Sequence, residues 1–479
     1  MLVRSAIRAG VVVALSLTTV AALTVSGQSA PVRAQGAEAQ VWLTTGDRSV
    51  TLQQVASVPL TSRKASGPNV ITVNPTSRHQ VITGFGASIT GASAFNIASL
   101  SAEARAELMS ELFNPNTGIG LNYLRQPMGA SDFNAPGDLY TYQDELDPDA
   151  DDHGFSVDID EQLGILPLIR EALSENPGLR VMGTPWSAPA WMKSSGDLRG
   201  GALNPESMSE YAQYFVRFVE QYRERGVAVQ MVTPGNEPLF ANPKYPSMQM
   251  GTEQQAEFVR ELDSAFSDAN LDTEILVFDH NWSDAWYAAD VLNKTADVER
   301  VVGAAFHCYH GDPSAQTQVI AAGKRVMVTE CTGVRSSDTF LHTLLWQFQN
   351  LIVESSRNGS EGTTLWNLAL DAEGGPHQGY CDDRCRGVVE VADGTYSLNA
   401  EYYVLGHASK FVKPGAVRLG SNSGTGSNSL RNVAFENPDG SRVVLLMNPS
   451  GRSQRYSVTD GAVTMQADIE GNSVATIVW

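Results

Sequence analysis

The stretch Thr233-Pro-Gly-Asn-Glu-Pro238 follows VAVQMV, an apolar run suited to the interior of a β-sheet. It ends a buried strand on an amide and a carboxylate, Asn236 and Glu237, with Pro238 restricting the backbone behind them. A second apolar run, RVMVTECT, carries Glu330 towards its end in the same way. Buried charge is costly unless it is paired or used, so either glutamate alone reads equally well as half of a salt bridge. Together they read differently. Other apolar runs deliver Arg125, Trp186, Asp279-His280, His307, Tyr309 and Trp366 to their ends, with Asp132, Trp191 and Trp282 just beyond. Two carboxyls facing each other across a cleft lined with Trp and Tyr are the equipment of glycoside hydrolysis: one donates a proton to the leaving oxygen, the other attacks or activates water. Indole rings offer flat apolar faces to sugar rings, and Trp186, Trp282 and Trp366 are candidates for successive rings.

For these side chains to meet, the runs that carry them must be neighbours in one sheet. Eight such runs occur, at 80–88, 121–128, 179–186, 227–237, 274–280, 301–309, 325–332 and 363–370. Between them lie amphipathic stretches such as 101–113, 208–226, 252–266 and 339–356, and 399–412 follows the last; apolar residues recur in them at helical spacing. Strands that are apolar throughout and alternate with helices imply a parallel sheet covered on both faces. Eight units over about 330 residues predict a closed (β/α)8 TIM barrel, whose ligands bind at the carboxyl ends of the strands. A dinucleotide-binding sheet is disfavoured, because GFGASI lacks the third glycine of that fingerprint. Beyond residue 413 short alternating strands with Gly, Asn and Asp turns predict a small β-sandwich appended to the barrel. The expected division is a signal peptide at 1–34, N-terminal strands at 35–79 that join the side β-domain, the barrel at 80–412 and the C-terminal sandwich at 413–479.

The leader rests on Arg4 and Arg8 before an apolar run from Ala9 to about Val25, with small residues at Val32-Arg-Ala34. That run falls short of the ~20 residues that span a bilayer, so the expectation is a secreted, extracellular protein without stable membrane association. The 479 residues hold 33 Lys and Arg against 53 Asp and Glu, a net charge of −20 that repels nucleic acid and anionic lipid and suits a neutral substrate. A monomer is expected. Of the four cysteines, Cys381 and Cys385 lie close together in CDDRC, and in an exported protein they read as a loop-closing disulfide. Cys308 and Cys331 alternate with His307, Tyr309 and Glu330 and so should point away from the cleft. Buried free thiols are the plainer expectation; a disulfide stays open as the alternative, although neighbouring parallel strands rarely present its geometry. No cofactor is expected: no loop is built to cradle phosphate, and HCYH at 307–310 lacks a second ligand group for a metal.

Several motifs in one order, GFGASIT, YLRQPMGASDF, TPWSAPAWMKSSG, TPGNEP, AFHCYHG, VTECTG and WNLALDAEGGP, resemble glycoside hydrolase family 30 from about residue 80 to the C-terminus. That family includes lysosomal glucosylceramidase and microbial endo-β-1,6-glucanases, and its barrel with a side β-domain agrees with the independent strand count. The resemblance implies that Glu237 is the general acid/base, with Asn236 bonding the sugar 2-hydroxyl, and that Glu330 is the nucleophile. It places Arg125 and Tyr309 against the nucleophile, and Asp132, Trp186, His307 and Trp366 around the sugar. One position departs: Thr90-Gly91 stands where glucosylceramidases have Thr-Asp. TPGNEPLF, DHNW and AFHCYHG are closer to the endo-β-1,6-glucanase branch, so a β-glucan or related neutral glycoside is the expected substrate. The alternatives are glucosylceramidase activity and, in another class, a catalytically silent carbohydrate-binding protein. The intact Glu237 and Glu330 argue against the silent protein.

Overall fold

The computed structural model describes residues 37–479 except 151, 336–338, 380, 382 and 383; the leader read at residues 1–34 lies outside them. Eight parallel strands close into a barrel: β1 (Gly84–Ser88), β2 (Tyr123–Pro127), β3 (Arg180–Thr184), β4 (Met231–Val232), β5 (Glu274–Asn281), β6 (Val301–His307), β7 (Arg325–Glu330) and β8 (Ser360–Asn367). Closure comes from β8, which pairs with both β7 and β1. The (β/α)8 TIM barrel expected from the apolar runs is the fold observed.

β4 is far shorter than its apolar run. Past Val232 the chain leaves the ladder, since Pro234 has no amide hydrogen to give. The N–H groups of Thr233, Asn236 and Glu237 instead reach the carbonyls of Gly183, Pro185 and Asp279 at 3.0, 2.8 and 3.0 Å. These bonds tie the TPGNEP segment to both neighbouring strands.

Inside the barrel an apolar layer of Tyr123, Met182, Met231, Leu276, Ala305 and Met327 fills the lower half. Above it, towards the carboxyl ends, the inward side chains turn polar: Arg125, Thr184, Thr233, Asp279, His307 and Thr329 are all fully buried. Such a layer is stable only if every member finds partners.

Helices cover the outside. The helix Met208–Glu224 buries Tyr211, Phe215, Phe218 and Tyr222, spaced by three and four residues. Ser101 and Thr90 cap the helices Ala102–Phe113 and Gly91–Ala98 by accepting the N–H of Ala104 and Ser93, each cap contributing about 1 kcal/mol. The stretch expected as one helix over 339–356 starts as an α-helix at Phe340–Gln347 and widens to π-helical turns over Phe348–Glu354. There the Ser355 hydroxyl donates to the carbonyl of Asn350, five residues back, at 2.7 Å.

The second domain is a nine-stranded sheet folded on itself, in the order 53–59, 38–45, 473–478, 442–448, 431–436, 417–421, 70–81, 454–459, 464–469. Strands from before the barrel thus share a sheet with strands from after it, and Thr61 bridges Thr464 across the two outer ends. Val41, Ile71, Leu419, Val444, Leu446 and Ile477 lie in the apolar core between the layers. At the seam with the barrel, His407 on the helix Ala400–Ser409 bonds Thr476 through Nδ1 at 2.8 Å and Thr44 through Nε2 at 2.9 Å. Among the described residues no helix is long and apolar enough to cross a membrane.

Candidate active site

A cleft of about 650 Å³ opens at the carboxyl ends of the strands, the size of a small-ligand site. Glu237 and Glu330 both line it, as do Asp132, Trp186, Asn236, Tyr309 and Trp366. Arg125 lies beneath. Its Nη1 donates to Glu330 Oε2 at 2.7 Å, and its Nη2 donates to Asn236 Oδ1 at 2.7 Å and to Asp279 Oδ2 at 2.8 Å. The Tyr309 hydroxyl donates to the other Glu330 oxygen at 2.7 Å. His307 bridges the two sides: Nδ1 lies 3.0 Å from Glu237 Oε1 and Nε2 lies 3.0 Å from Asp279 Oδ1. Each oxygen of Glu330 is therefore held by a donor, and Glu237 is held by an imidazole.

Asp279, read from the sequence only as one polar strand end among several, is the organising residue of the site. It is fully buried and also accepts hydrogen bonds from Thr233 at 2.8 Å and Thr329 at 2.6 Å. β5 bulges here, with a register shift against β6 between Phe278 and His280. Phe278 and Asp279 take left-handed φ of 78° and 69°, and Glu237 takes 47°. A non-glycine residue there costs of order 1–3 kcal/mol and persists only where surrounding structure over-determines it. The bulge turns Asp279 inward and aims its carbonyl at the Glu237 N–H.

Burial works against charge on every member of this cluster. Asp279 is nevertheless held well below the usual carboxylate range by Arg125 and His307. Burial would lower His307, but Glu330, Asp279 and Glu237 outweigh it and raise the imidazole to about 9. Glu237 is drawn down, against burial, by the His307 hydrogen bond and charge, and His280 lies 3.7 Å away. Glu330 is raised by burial, with Glu237 adding to it and His307 and Arg125 opposing. Asp132 is pushed well up by burial and by Glu330. Glu237, His307 and Glu330 each turn one polar atom to within 4.8 Å of the others, so a proton can pass between them over short distances.

Asp132 Oδ1 has no partner and lines the cleft. Its loop packs on Gly91, where an added Cβ would lie 2.9 Å from the Ala135 nitrogen and 3.1 Å from Asn134 Cα. The Thr90-Gly91 departure thus fits the close approach of the Asp132 loop. Trp186 and Trp366 stack on each other with centroids 4.6 Å apart, and the Arg125 guanidinium lies 4.8 Å from the Trp186 ring.

Three expectations need correction. Trp282 is buried among the outer helices and does not line the cleft, because the bulge at Asp279 changes which residues past β5 face inward. Trp191 is half-buried, packs on the core and donates Nε1 to the Gln143 carbonyl at 2.9 Å. Cys308 and Cys331 do point away from the cleft, but they are a disulfide and not free thiols, with Cα atoms 5.3 Å apart. A register shift between Val328 and Glu330 brings the two cysteines opposite each other just past the ladder, within disulfide range. Cys381 is bridged to Cys385, and both line the cleft.

Paired carboxyls at the carboxyl end of a TIM barrel, with a buried arginine and aromatic walls, define a glycoside hydrolase site. Residues 82–412 match the glycosyl hydrolase family 30 TIM-barrel domain and residues 415–477 the family 30 beta sandwich domain, so the chain belongs to glycoside hydrolase family 30. It is 33% identical over 423 residues to the endo-1,6-beta-D-glucanase of Aspergillus fumigatus, covering 81% of this chain and 83% of that one. It is 28% identical over 441 residues to the lysosomal acid glucosylceramidase of Mus musculus, covering 86% of this chain and 83% of that one. Among solved structures, the endo-beta1,6-glucanase BT3312 superposes with a TM-score of 0.85 at 30% identity, over 92% of this chain and 99% of that one. The protein is a glycoside hydrolase acting on a glycan.

Proposed function

We propose that this chain is an exported, retaining endo-β-1,6-glucanase. The observation that carries the mechanism is the separation of the two glutamates, whose carboxyl oxygens approach within 4.8 Å. Retaining enzymes hold their carboxyls about 5–5.5 Å apart, whereas inverting enzymes need about 6.5–9.5 Å to admit a water. In this reading Glu330 attacks the anomeric carbon while Glu237 protonates the departing oxygen, which leaves a glycosyl ester on Glu330. Water then enters, gives its proton to Glu237 and releases the sugar with its original configuration. Asn236 has its oxygen turned to Arg125, which leaves its amide nitrogen to donate to a sugar hydroxyl. His307 supplies the proton inventory. Sugar binding expels water, and a poorly solvated imidazolium–carboxylate pair shifts towards its neutral forms, so the proton between Nδ1 and Oε1 passes to Glu237.

Two observations support an extended neutral glucan. Leu239 and Phe240, 36% and 38% exposed, line the cleft just past Glu237, where the leaving sugar takes its proton. The net charge of −20 disfavours work at an anionic bilayer, as a ceramide-linked substrate requires. The stronger likeness to endo-1,6-β-glucanases than to glucosylceramidase points the same way. Chromatography of early products from linear β-1,6-glucan tests the substrate: short gluco-oligosaccharides are expected. Glucose alone at the first time points rejects endo action, and ceramide release from glucosylceramide without glucan cleavage rejects the substrate. Proton NMR of the first product should show the β anomer; an initial α anomer overturns the mechanism.

Export rests on the basic–apolar leader and on two disulfides, which persist in oxidising compartments. N-terminal sequencing of the protein from culture medium should find the leader removed, and retention in the cell with Met1 in place rejects it.

A further inference from the structure

The Cys308–Cys331 bridge joins the two strands that hold the groups around the reacting centre. β6 ends at His307 and β7 at Glu330, and the Cys308 N–H bonds the Glu330 carbonyl at 3.2 Å. The disulfide is the next link outward. On one strand Cys308 stands between His307, which contacts Glu237, and Tyr309, which contacts Glu330. On the other Cys331 directly follows Glu330, and its carbonyl accepts the Trp366 N–H at 2.9 Å. Both cysteines are buried on the side away from the cleft, so the bridge touches no substrate.

Tyr309 is the neighbour that most needs such a link. It lies beyond the end of β6 and is 39% exposed. Apart from the Glu330 contact, its hydrogen bonds run from its N–H to Asn281 Oδ1 at 3.1 Å and from its hydroxyl to Thr332 at 3.3 Å. Ordering an exposed loop residue in one geometry costs conformational entropy. A covalent tie one residue away removes much of that freedom before substrate arrives.

We propose that the Cys308–Cys331 disulfide is a positioning element of the reaction: it fixes Tyr309 against Glu330, so that the nucleophile keeps its hydroxyl donor through turnover. This rests on the role given above to Glu330. Loss of the tie lets the Tyr309 hydroxyl stray from Glu330 Oε1, and a carboxylate with fewer donors holds its proton more tightly.

The test is a double-mutant cycle between the bridge and the tyrosine. The pair C308A/C331A should lower kcat about tenfold, as expected for a small misplacement, and move the acidic limb of kcat/KM up by about one unit. Tyr309→Phe should do the same in the bridged enzyme and add little once the bridge is gone. C308S/C331S, closer in size to the thiols, carries the test if the alanine pair does not fold. A bridge-free enzyme with wild-type kcat and pH profile overturns the proposal even if its melting temperature falls, and so do effects that multiply fully with Tyr309→Phe. Peptide mapping without reductant should recover Cys308 and Cys331 crosslinked; free thiols at both overturn it too. Trapping a glycosyl-enzyme with a 2-deoxy-2-fluoro glycoside reads the Glu330 assignment separately. Label on Glu330 with an unaltered bridge-free profile sinks this inference alone, whereas label elsewhere sinks the mechanism beneath it.

Discussion

His307 at the barrel mouth and His407 at the seam with the sandwich are both fully buried, and each uses both ring nitrogens. They end in opposite charge states. His307 lies between two carboxylates and is raised to about 9, whereas His407 lies between two threonine hydroxyls and burial alone lowers it to about 3. Burial is shared, so the partners decide. The mouth gathers charge and holds it in strained backbone at Asp279 and Glu237; at the seam His407 is satisfied by neutral hydroxyls alone. One region is arranged for proton transfer and the other for cohesion, and each can be broken without the other.

Removing the reacting groups should separate the two regions most. Glu330→Ala is expected to lose more than about 10⁴-fold in kcat on every substrate, because no covalent intermediate forms. Glu237→Ala should keep turnover on aryl glycosides whose leaving group needs no proton, and azide should yield a β-glycosyl azide. Equal behaviour of the two variants on such substrates rejects the roles. Neither variant touches the seam, so the fall of stability with acid that His407 sets should stay as in the wild type.

Asp279→Asn comes next. It removes the charge that faces Arg125 at 2.8 Å and His307 at 3.0 Å. A fall in kcat of about 10²-fold is expected as proton transfer loses its positioning, with a stability loss below the about 3–5 kcal/mol of an uncompensated buried charge, because Arg125 keeps Glu330 at 2.7 Å. The basic limb of kcat/KM should shift to lower pH, since His307 loses a partner that raises it. An unchanged limb breaks the account of the mouth.

The histidines predict opposite slopes of stability with pH. His307 holds a proton in the folded state up to about 9, against an ordinary 6.5. Its contribution is complete below 6.5 and is lost as pH rises through 9. His407 stays neutral in the folded state down to about 3. Its contribution is complete above the ordinary histidine value near 6.5 and is lost as pH falls from there towards 3. Each single-proton difference has a slope of up to about 1.4 kcal/mol per pH unit. Urea unfolding across pH should therefore show His407→Gln flattening the acid side and His307→Gln the alkaline side. The same side flattened by both variants contradicts the partner argument.

What could be read from the sequence follows from how regular each region is. The eight strands were legible because a parallel strand covered on both faces is apolar along its whole length. The residues at their ends, Arg125, Glu237, His307, Tyr309 and Glu330, were legible because polarity there has no packing reason. Asp279 was visible as a polar strand end, but its inward turn depends on two consecutive left-handed residues that no alternation pattern encodes. The same irregularity misdirected Trp282. The disulfide between Cys308 and Cys331 was hidden by the register shift in β7, because strand-by-strand alternation fixes the facing of a residue and not its neighbour across the ladder.

The smallest effect expected is the sharpest contrast between the regions, and it uses one added methyl on each side. At Gly91 a Cβ would meet backbone, the Ala135 nitrogen at 2.9 Å, so the loop carrying Asp132 must shift to admit it. At Gly406, inside the seam helix, a Cβ would meet side chains and no backbone: the Leu52 Cδ2 end at 2.7 Å, which can rotate aside, and the stiffer Ile119 Cγ2 at 2.8 Å, which must give by a small shift. Overpacking costs about 1–3 kcal/mol, and replacing a helical glycine by alanine returns up to about 1 kcal/mol. Gly406→Ala should therefore lower the melting temperature by a few degrees at most and leave KM and kcat unchanged. Gly91→Ala should raise KM for the glycan severalfold, because Asp132 with its unpartnered oxygen is displaced from the cleft wall. Kinetics and thermal melts on both variants decide it. A KM change from Gly406→Ala would mean that the seam reaches the site, and an unaltered KM from Gly91→Ala would remove Asp132 from substrate binding.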